Sequence, residues 1–437
     1  MPSYTTLRPL VHDEIIQRSE EGCDVGGFEE ELEAVLPGDL DALEALYDAL
    51  DELDPEPDFP YVEPSTLDSI HATRPEGVRR MEMGHDEEAL FDRIYGAWLG
   101  RCAGCSLGKP VEGWRQERIE RYLKLADVYP LADYFPVIEP FPEGLALRDN
   151  YRETAKGYIH YMARDDDVDY TILGLHYLEH FGLGFTTDDV ADTWISHLPF
   201  HMVYTAEREA YRNLVNDIRP PDSARYRNPY REWIGAQIRA DAFGYVCPGW
   251  PEKAAEFAFR DAAVSHVKNG IYGEMWVAAM LSTALVSDDL EVVLMAGLGE
   301  IPAQSRLAEA VREAIAARRR YATWQEAWEA LMARYGHYHG VHTINNAMIV
   351  LLGLLYGEMD LGCTISIAVM GGLDTDCNGA TAGSIIGAMV GARKLPARWI
   401  EPLSDRVTSY VIGYFDNRIS DFARRTQAVA EKVLALQ

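Results

Sequence analysis

Basic residues are scarce in this chain: 40 Lys and Arg stand against 70 Asp and Glu, a formal charge of −30 over 437 residues. That balance excludes sequence-independent nucleic-acid binding, which needs cationic groups to displace counterions, and docking on anionic membranes. Long apolar runs are also missing; stretches such as 347–356 are too short to span a bilayer. The start of the chain carries Asp13, Glu14, Glu20 and Glu21 where a signal peptide would be basic and then apolar, so the expected setting is soluble and cytoplasmic. The six cysteines (Cys23, Cys102, Cys105, Cys247, Cys363 and Cys377) are thinly spread, which suits a reducing compartment better than a disulfide framework. Cys102 and Cys105 form a CxxC without a second pair at zinc spacing, and read as small buried thiols. Alternating strand patterns are rare, and no Ser-His-Asp arrangement offers an activated nucleophile.

What is present is helical. With 48% hydrophobic and 11% aromatic residues the chain can bury a large core. Residues 1–85 read as an acidic N-terminal extension, with short amphipathic helices near 29–31 and 40–50 and a proline-broken strap at 54–60. Residues 86–437 read as one all-α, multi-helix domain. Its first helix starts at Glu87, and others are expected at 170–180, 187–196, 252–264, 270–287, 303–318, 323–334, 344–356, 378–392 and 418–435.

The stretch richest in chemistry runs Gly371-Gly372-Leu373-Asp374-Thr375-Asp376-Cys377-Asn378 and leads into a helix with glycine at 379, 383, 387 and 391. That spacing forms one narrow stripe which costs helix propensity, so something must press closely against it. Asp374 and Asp376 stand at the helix mouth. A second acidic group, Asp165-Asp166-Asp167, also precedes a helix. Three adjacent carboxylates repel one another, and a helix dipole offsets only about 0.3–1 kcal/mol each. Two readings stay open: an exposed acidic N-cap, or a site for a divalent cation, with Mg²⁺, Mn²⁺ or Ca²⁺ favoured by oxygen ligands. A third stretch, Gly96 to Gly108 followed by Glu112, is a glycine-spaced helix with a carboxylate just beyond its end. Arg239, Asp241 and Asp261 suggest a salt bridge near a pocket. His342, Asn345 and Asn346 read as caps, and Trp98, Trp114 and Trp250 as packing aromatics.

These motifs, in this order, resemble the ADP-ribosylglycohydrolase family over roughly residues 87–403. The glycine-rich helix with Glu112, the Asp165-Asp166-Asp167 start and the Gly371-Gly372-Leu373-Asp374-Thr375-Asp376-Cys377 segment carry the resemblance. It implies a compact all-α fold and a binuclear Mg²⁺ site, with Mn²⁺ possible. By position, Asp165, Asp166, Asp167, Asp374, Asp376 and Cys377 would be the metal residues, Asp165 and Cys377 standing where the family has threonine. Glu112, with Asp167, would be catalytic. His266, Gly270, Tyr272, Gly372 and Asn378 would contact substrate. The implied activity is metal-dependent hydrolysis of an N- or O-glycosidic bond in an ADP-ribosyl or related ribosyl group, small or protein-linked. Cys105 in place of an aspartate and the apparent insertion of Leu373 are departures. They motivate two alternatives: a glycosidase for another furanoside or nucleoside, and a non-catalytic, crystallin-like or ligand-binding relative.

Overall fold

The computed structural model describes residues 4–84 and 86–436; residue 85, at the boundary of the sequence-based division, lies outside the described residues. The N-terminal part holds α1 (Tyr4–Glu20), α2 (Phe28–Ala34), α3 (Leu40–Asp51) and α4 (Leu67–Thr73). Then come α5 (Glu87–Gly108), α6 (Gln116–Leu125), α7 (Asp166–His180), α8 (Thr187–His197), α9 (Thr205–Val215), α10 (Asp241–Tyr245), α11 (Pro251–Ala262) and α12 (Lys268–Ala284). The chain continues with α13 (Leu290–Gly299), α14 (Arg306–Arg320), α15 (Trp324–Tyr335), α16 (Thr343–Tyr356), α17 (Leu361–Met370), α18 (Thr375–Val390), α19 (Ala397–Ile400) and α20 (Ile419–Leu434). Among the described residues the only sheet is a pair of three-residue strands, β1 (Arg406–Thr408) and β2 (Asp416–Arg418). The fold is all-α. Helices α1, α4, α6, α9, α10, α13, α17 and α19 have no counterpart among the expected ones. Of these, α13 and α17 are apolar nearly all round, so they show no 3.6-residue rhythm.

Helices α5 and α18 cross at the centre, glycine against glycine. A Cβ placed on Gly100 would stand 2.0 Å from the Gly383 carbonyl oxygen, and one on Gly104 would stand 1.9 Å from that of Gly379. Gly96 meets Gly387 and Gly108 meets Thr375 in the same register. The expected stripe on α18 therefore has its partner in a second stripe on α5. Gly391 differs from the other glycines of the stripe, because at φ 80° it ends α18. Trp98, on another side of α5, stacks on Phe422 of α20 and donates to Thr426, which is core packing.

The N-terminal part has its own apolar cluster, including Leu7, Val11, Leu43, Tyr47 and Leu50. It docks on the rest through buried ion pairs. Arg231 donates to Glu14 at 2.7 Å and to Glu21, and Lys268 reaches Glu21 at 3.0 Å. Just beyond the strap, Glu63 pairs with Arg306 at 2.8 Å, beside Glu232.

Candidate metal and active site

Three chain segments meet at one pocket of about 380 Å³. Helix α18 presents Asp374 at its N-cap and Asp376 in its first turn. Helix α7 presents Asp165 as its N-cap, the side chain accepting from the Asp167 N–H at 3.1 Å, with Asp166 and Asp167 following. Glu112 sits just past the end of α5. Its turn is stitched to the Asp374 loop, with Gly113 N–H donating to the Leu373 carbonyl at 2.9 Å and Leu373 N–H donating to that of Trp114 at 2.8 Å. Leu373 holds φ 64° to make this contact, an unusual conformation for a large side chain that gives the extra residue a structural purpose. Asn346 fixes the same loop by accepting from Asp374 N–H at 3.2 Å and from Asn378 Nδ2 at 2.8 Å.

Arg101, wholly buried on α5, holds the other side. It donates to the Asp167 carbonyl at 2.6 Å and to Asp241 Oδ2 at 2.7 Å, while Asp241 also accepts from Tyr245 and Ser384. The sequence pattern grouped Arg239 with Asp241 and Asp261. Arg239 does pair with Asp261, and also with Glu207 and Glu274, while Asp241 goes to Arg101. Sequence gives no sign of Arg101, because a buried arginine within a small-residue helix leaves no mark in composition or period.

The electrostatics are those of a crowded anionic site. Burial, then mutual repulsion, pushes the carboxyls of Asp166, Asp167 and Asp376 well above the usual range, and Asp374 rises as well. Glu112 is pushed up to about 7 by burial and by Asp374, with Arg148 at 3.2 Å partly opposing. Asp165 goes the other way: burial would raise it, but the adjoining Lys109 ammonium holds it low. Burial and the carboxylates keep Cys105 and Cys377 as thiols.

Whether a cation suits these residues is answered by their unfilled acceptors. Asp167 Oδ1 and Asp376 Oδ1 are buried without a hydrogen-bond partner. Donor atoms also converge within 4.8 Å in three groups: Cys105, Asp165 and Asp167; Asp167, Asp376 and Cys377; and Glu112, Asp374 and Asp376. Mostly carboxylate donors fit a hard divalent cation.

The structure thus brings Glu112, Asp165, Asp166, Asp167, Asp374, Asp376 and Cys377 to one pocket. It places five other named residues elsewhere. Gly372 (φ 80°) packs on the backbone of 114–116, where a Cβ would meet Gln116 N at 2.7 Å. Asn378 lies outside the pocket lining, its Nδ2 donating to Asn346 while its Oδ1 is buried without a partner. Tyr272 donates to the Pro64 carbonyl, Gly270 abuts the Arg231 carbonyl, and buried His266 bonds Ser265 Oγ at 2.8 Å. The start of α12 faces the N-terminal strap, so these last three lie outside the pocket lining. That lining instead includes Lys109, Arg148, Arg164, Tyr170, Tyr204 and Glu207. Lys109 and Arg164 adjoin motifs, and Tyr170 lies one turn further along α7; Arg148 and Tyr204 arrive from irregular segments and Glu207 from α9, without a signal in sequence.

The pocket is acidic and polar, lies at two helix N-termini of an all-α bundle, and offers carboxylate groups that could hold a cation. A sequence profile of the ADP-ribosylglycohydrolase family matches residues 86–433. The chain belongs to that family, a family of glycohydrolases. No curated protein matches the chain. Among solved structures it is similar to one described as an ADP-ribosylglycohydrolase-related protein complex, at 19% identity and a TM-score of 0.49, covering 79% of this chain and 99% of that one. No helix among the described residues is long and apolar enough to cross a membrane.

Proposed function

We propose that this chain is a metal-dependent glycoside hydrolase that cleaves an N- or O-glycosidic bond of an ADP-ribosyl or related ribosyl group. The observation that carries the reading is the convergence of Asp166, Asp167, Asp374, Asp376 and Glu112, from three distant segments, on one pocket with two unpartnered buried carboxylate oxygens. Asp167, Asp374 and Asp376 would hold a divalent cation, with Asp166 and the Cys377 thiol beside them. Such a cation, when bound, supplies Lewis-acid stabilisation and orientation of a sugar's hydroxyls and of water.

The chain's own groups do the rest. Glu112, a third exposed and held near neutrality, is poised to take a proton from water or give one to a leaving group. Arg148 pairs with Glu112 and keeps it at the pocket mouth. Cleavage of a ribosyl bond passes through an oxocarbenium-like state, which the surrounding carboxylates favour electrostatically. Residues 86–437 form the catalytic domain in this reading, and residues 1–85 an extension that buttresses the pocket wall: Tyr230 bonds Asp13 at 2.9 Å, four residues before pocket-lining Ile234.

The test is turnover of ADP-ribosylated arginine, ADP-ribosylated serine and a nucleoside panel with Mg²⁺ or Mn²⁺, with Glu112→Gln alongside. Release of ADP-ribose, lost in Glu112→Gln, supports the reading. Turnover of nucleosides alone moves the assignment to another furanoside, and no turnover by a metal-loaded protein favours the non-catalytic alternative.

A further inference from the structure

We propose that the Lys109 ammonium is a built-in cation of the acidic site, so that the folded chain takes up one divalent ion where the family resemblance implies two. The inference rests on the metal-dependent reading above and concerns how many ions that site accepts.

Lys109 follows Gly108 directly, at the end of the glycine ridge, and there the close approach of α5 to α18 delivers it into the carboxylates. It is only 7% exposed. Its ammonium donates to Asp165 Oδ2 at 2.5 Å and also to the Arg164 carbonyl. Asp165 Oδ1 accepts the Asp167 N–H. Both oxygens of Asp165 are therefore engaged by donors of this chain. Of the three converging donor groups, the one formed by Cys105, Asp165 and Asp167 already has a positive charge seated on its carboxylate.

A divalent ion entering that group would have to displace a buried ammonium or lie against it, and like charges at such range repel strongly. The unclaimed acceptors lie on the other side: Asp167 Oδ1 and Asp376 Oδ1 are buried and unpartnered, and both residues belong to the group completed by Cys377. One ion there would be shared by both residues. The third group, Glu112, Asp374 and Asp376, uses the same Asp376 and has Arg148 paired with its Glu112, so it offers no independent set for a second ion. The two charges also cancel. Asp165 adds a carboxylate where the family resemblance has a neutral threonine, and Lys109 adds the ammonium that neutralises it.

The test counts ions. Mn²⁺ is titrated into the metal-free full chain and free Mn²⁺ is read by electron paramagnetic resonance, with Mg²⁺ calorimetry in parallel. One ion per chain is expected, rising to two in Lys109→Met, where Asp165 becomes free to ligate. The double variant Lys109→Met/Asp165→Asn removes both charges together, guards against misfolding of the single variant, and is expected to return to one ion bound no more weakly than in the natural chain. Two ions in the natural chain overturn the inference, as does an unchanged count in folded Lys109→Met or loss of the ion in the double variant. No ion in the natural chain refutes the metal-dependent reading itself.

Discussion

Replacing Gly104 by Ala adds one methyl group at the place where α5 and α18 touch backbone to backbone. The new Cβ would lie 1.9 Å from the Gly379 oxygen and 2.3 Å from its carbon, whereas real Cβ contacts essentially never fall below 3.0 Å. Both obstructing atoms are main chain inside a helix, so no rotamer change relieves the clash. The helices must part by at least about 1.1 Å. Ala returns about 1 kcal/mol of helix propensity. Against that, overpacking costs about 1–3 kcal/mol and occasionally more, and a gap approaching 1 Å forfeits up to about half of each contact along the ridge. A net loss of about 3 kcal/mol is expected, read from urea denaturation followed by circular dichroism. Gly340→Ala is the control: nothing lies within 4 Å of its Cβ position, so it should shift stability by no more than about 0.5 kcal/mol. Parting the helices also separates Gly108 and Glu112 from Asp374 and Asp376, so divalent-ion affinity should fall together with stability. If Gly104→Ala matched the control in both measurements, the reasoning from the glycine ridge would be refuted.

Arg101→Met should cost about 3–5 kcal/mol in thermal or urea unfolding, because it leaves Asp241 buried without its cation. Arg101→Lys should not restore that loss, since an ammonium cannot span Asp241 and the carbonyls of Asp167 and Ile238 at once. Native-like stability in the Lys variant would count against this account. Glu20 is pushed up to about 8 by burial and by Glu232, so the folded state holds its proton more tightly than the unfolded chain. Its contribution to stability is complete below about pH 4.5 and is lost as pH rises through about 8; Glu20→Gln should flatten stability measured from pH 5 to 9. Mg²⁺ at a hundred times its dissociation constant should stabilise the natural chain by about 2.7 kcal/mol in thermal shift. Asp376→Asn should lose that gain while being at least as stable as the natural chain without ions, since burial and four neighbouring carboxylates disfavour its charge; an undiminished Mg²⁺ shift would exclude Asp376 as a ligand.

Much of this molecule was legible as local pattern. The helices from 166 to 180, from 343 to 356 and from 375 to 390 announce themselves by apolar rhythm or by acidic caps. The glycine stripe on α18 implied a close partner because glycine within a helix is costly unless something needs the space. The acidic groups at 165–167 and 374–376 stood out for the same reason, as like charges gathered where the chain alone gives them little relief.

Tertiary structure decided the rest. Sequence spacing could not say that the partner stripe lies on α5 in register with α18, nor that Arg101 runs through the core to hold the Asp167 carbonyl. It pointed to His266, Gly270 and Tyr272, whereas the pocket lining has Arg148, Tyr204 and Glu207, which lie far along the chain from every motif, beside Arg164 and Tyr170, which flank one. It offered Asp165 as a ligand and gave no sign that Lys109 pairs with it. Residue type and spacing along one chain fix which groups could hold a charge. Which groups are already satisfied depends on what packs against them, and that is a property of three dimensions.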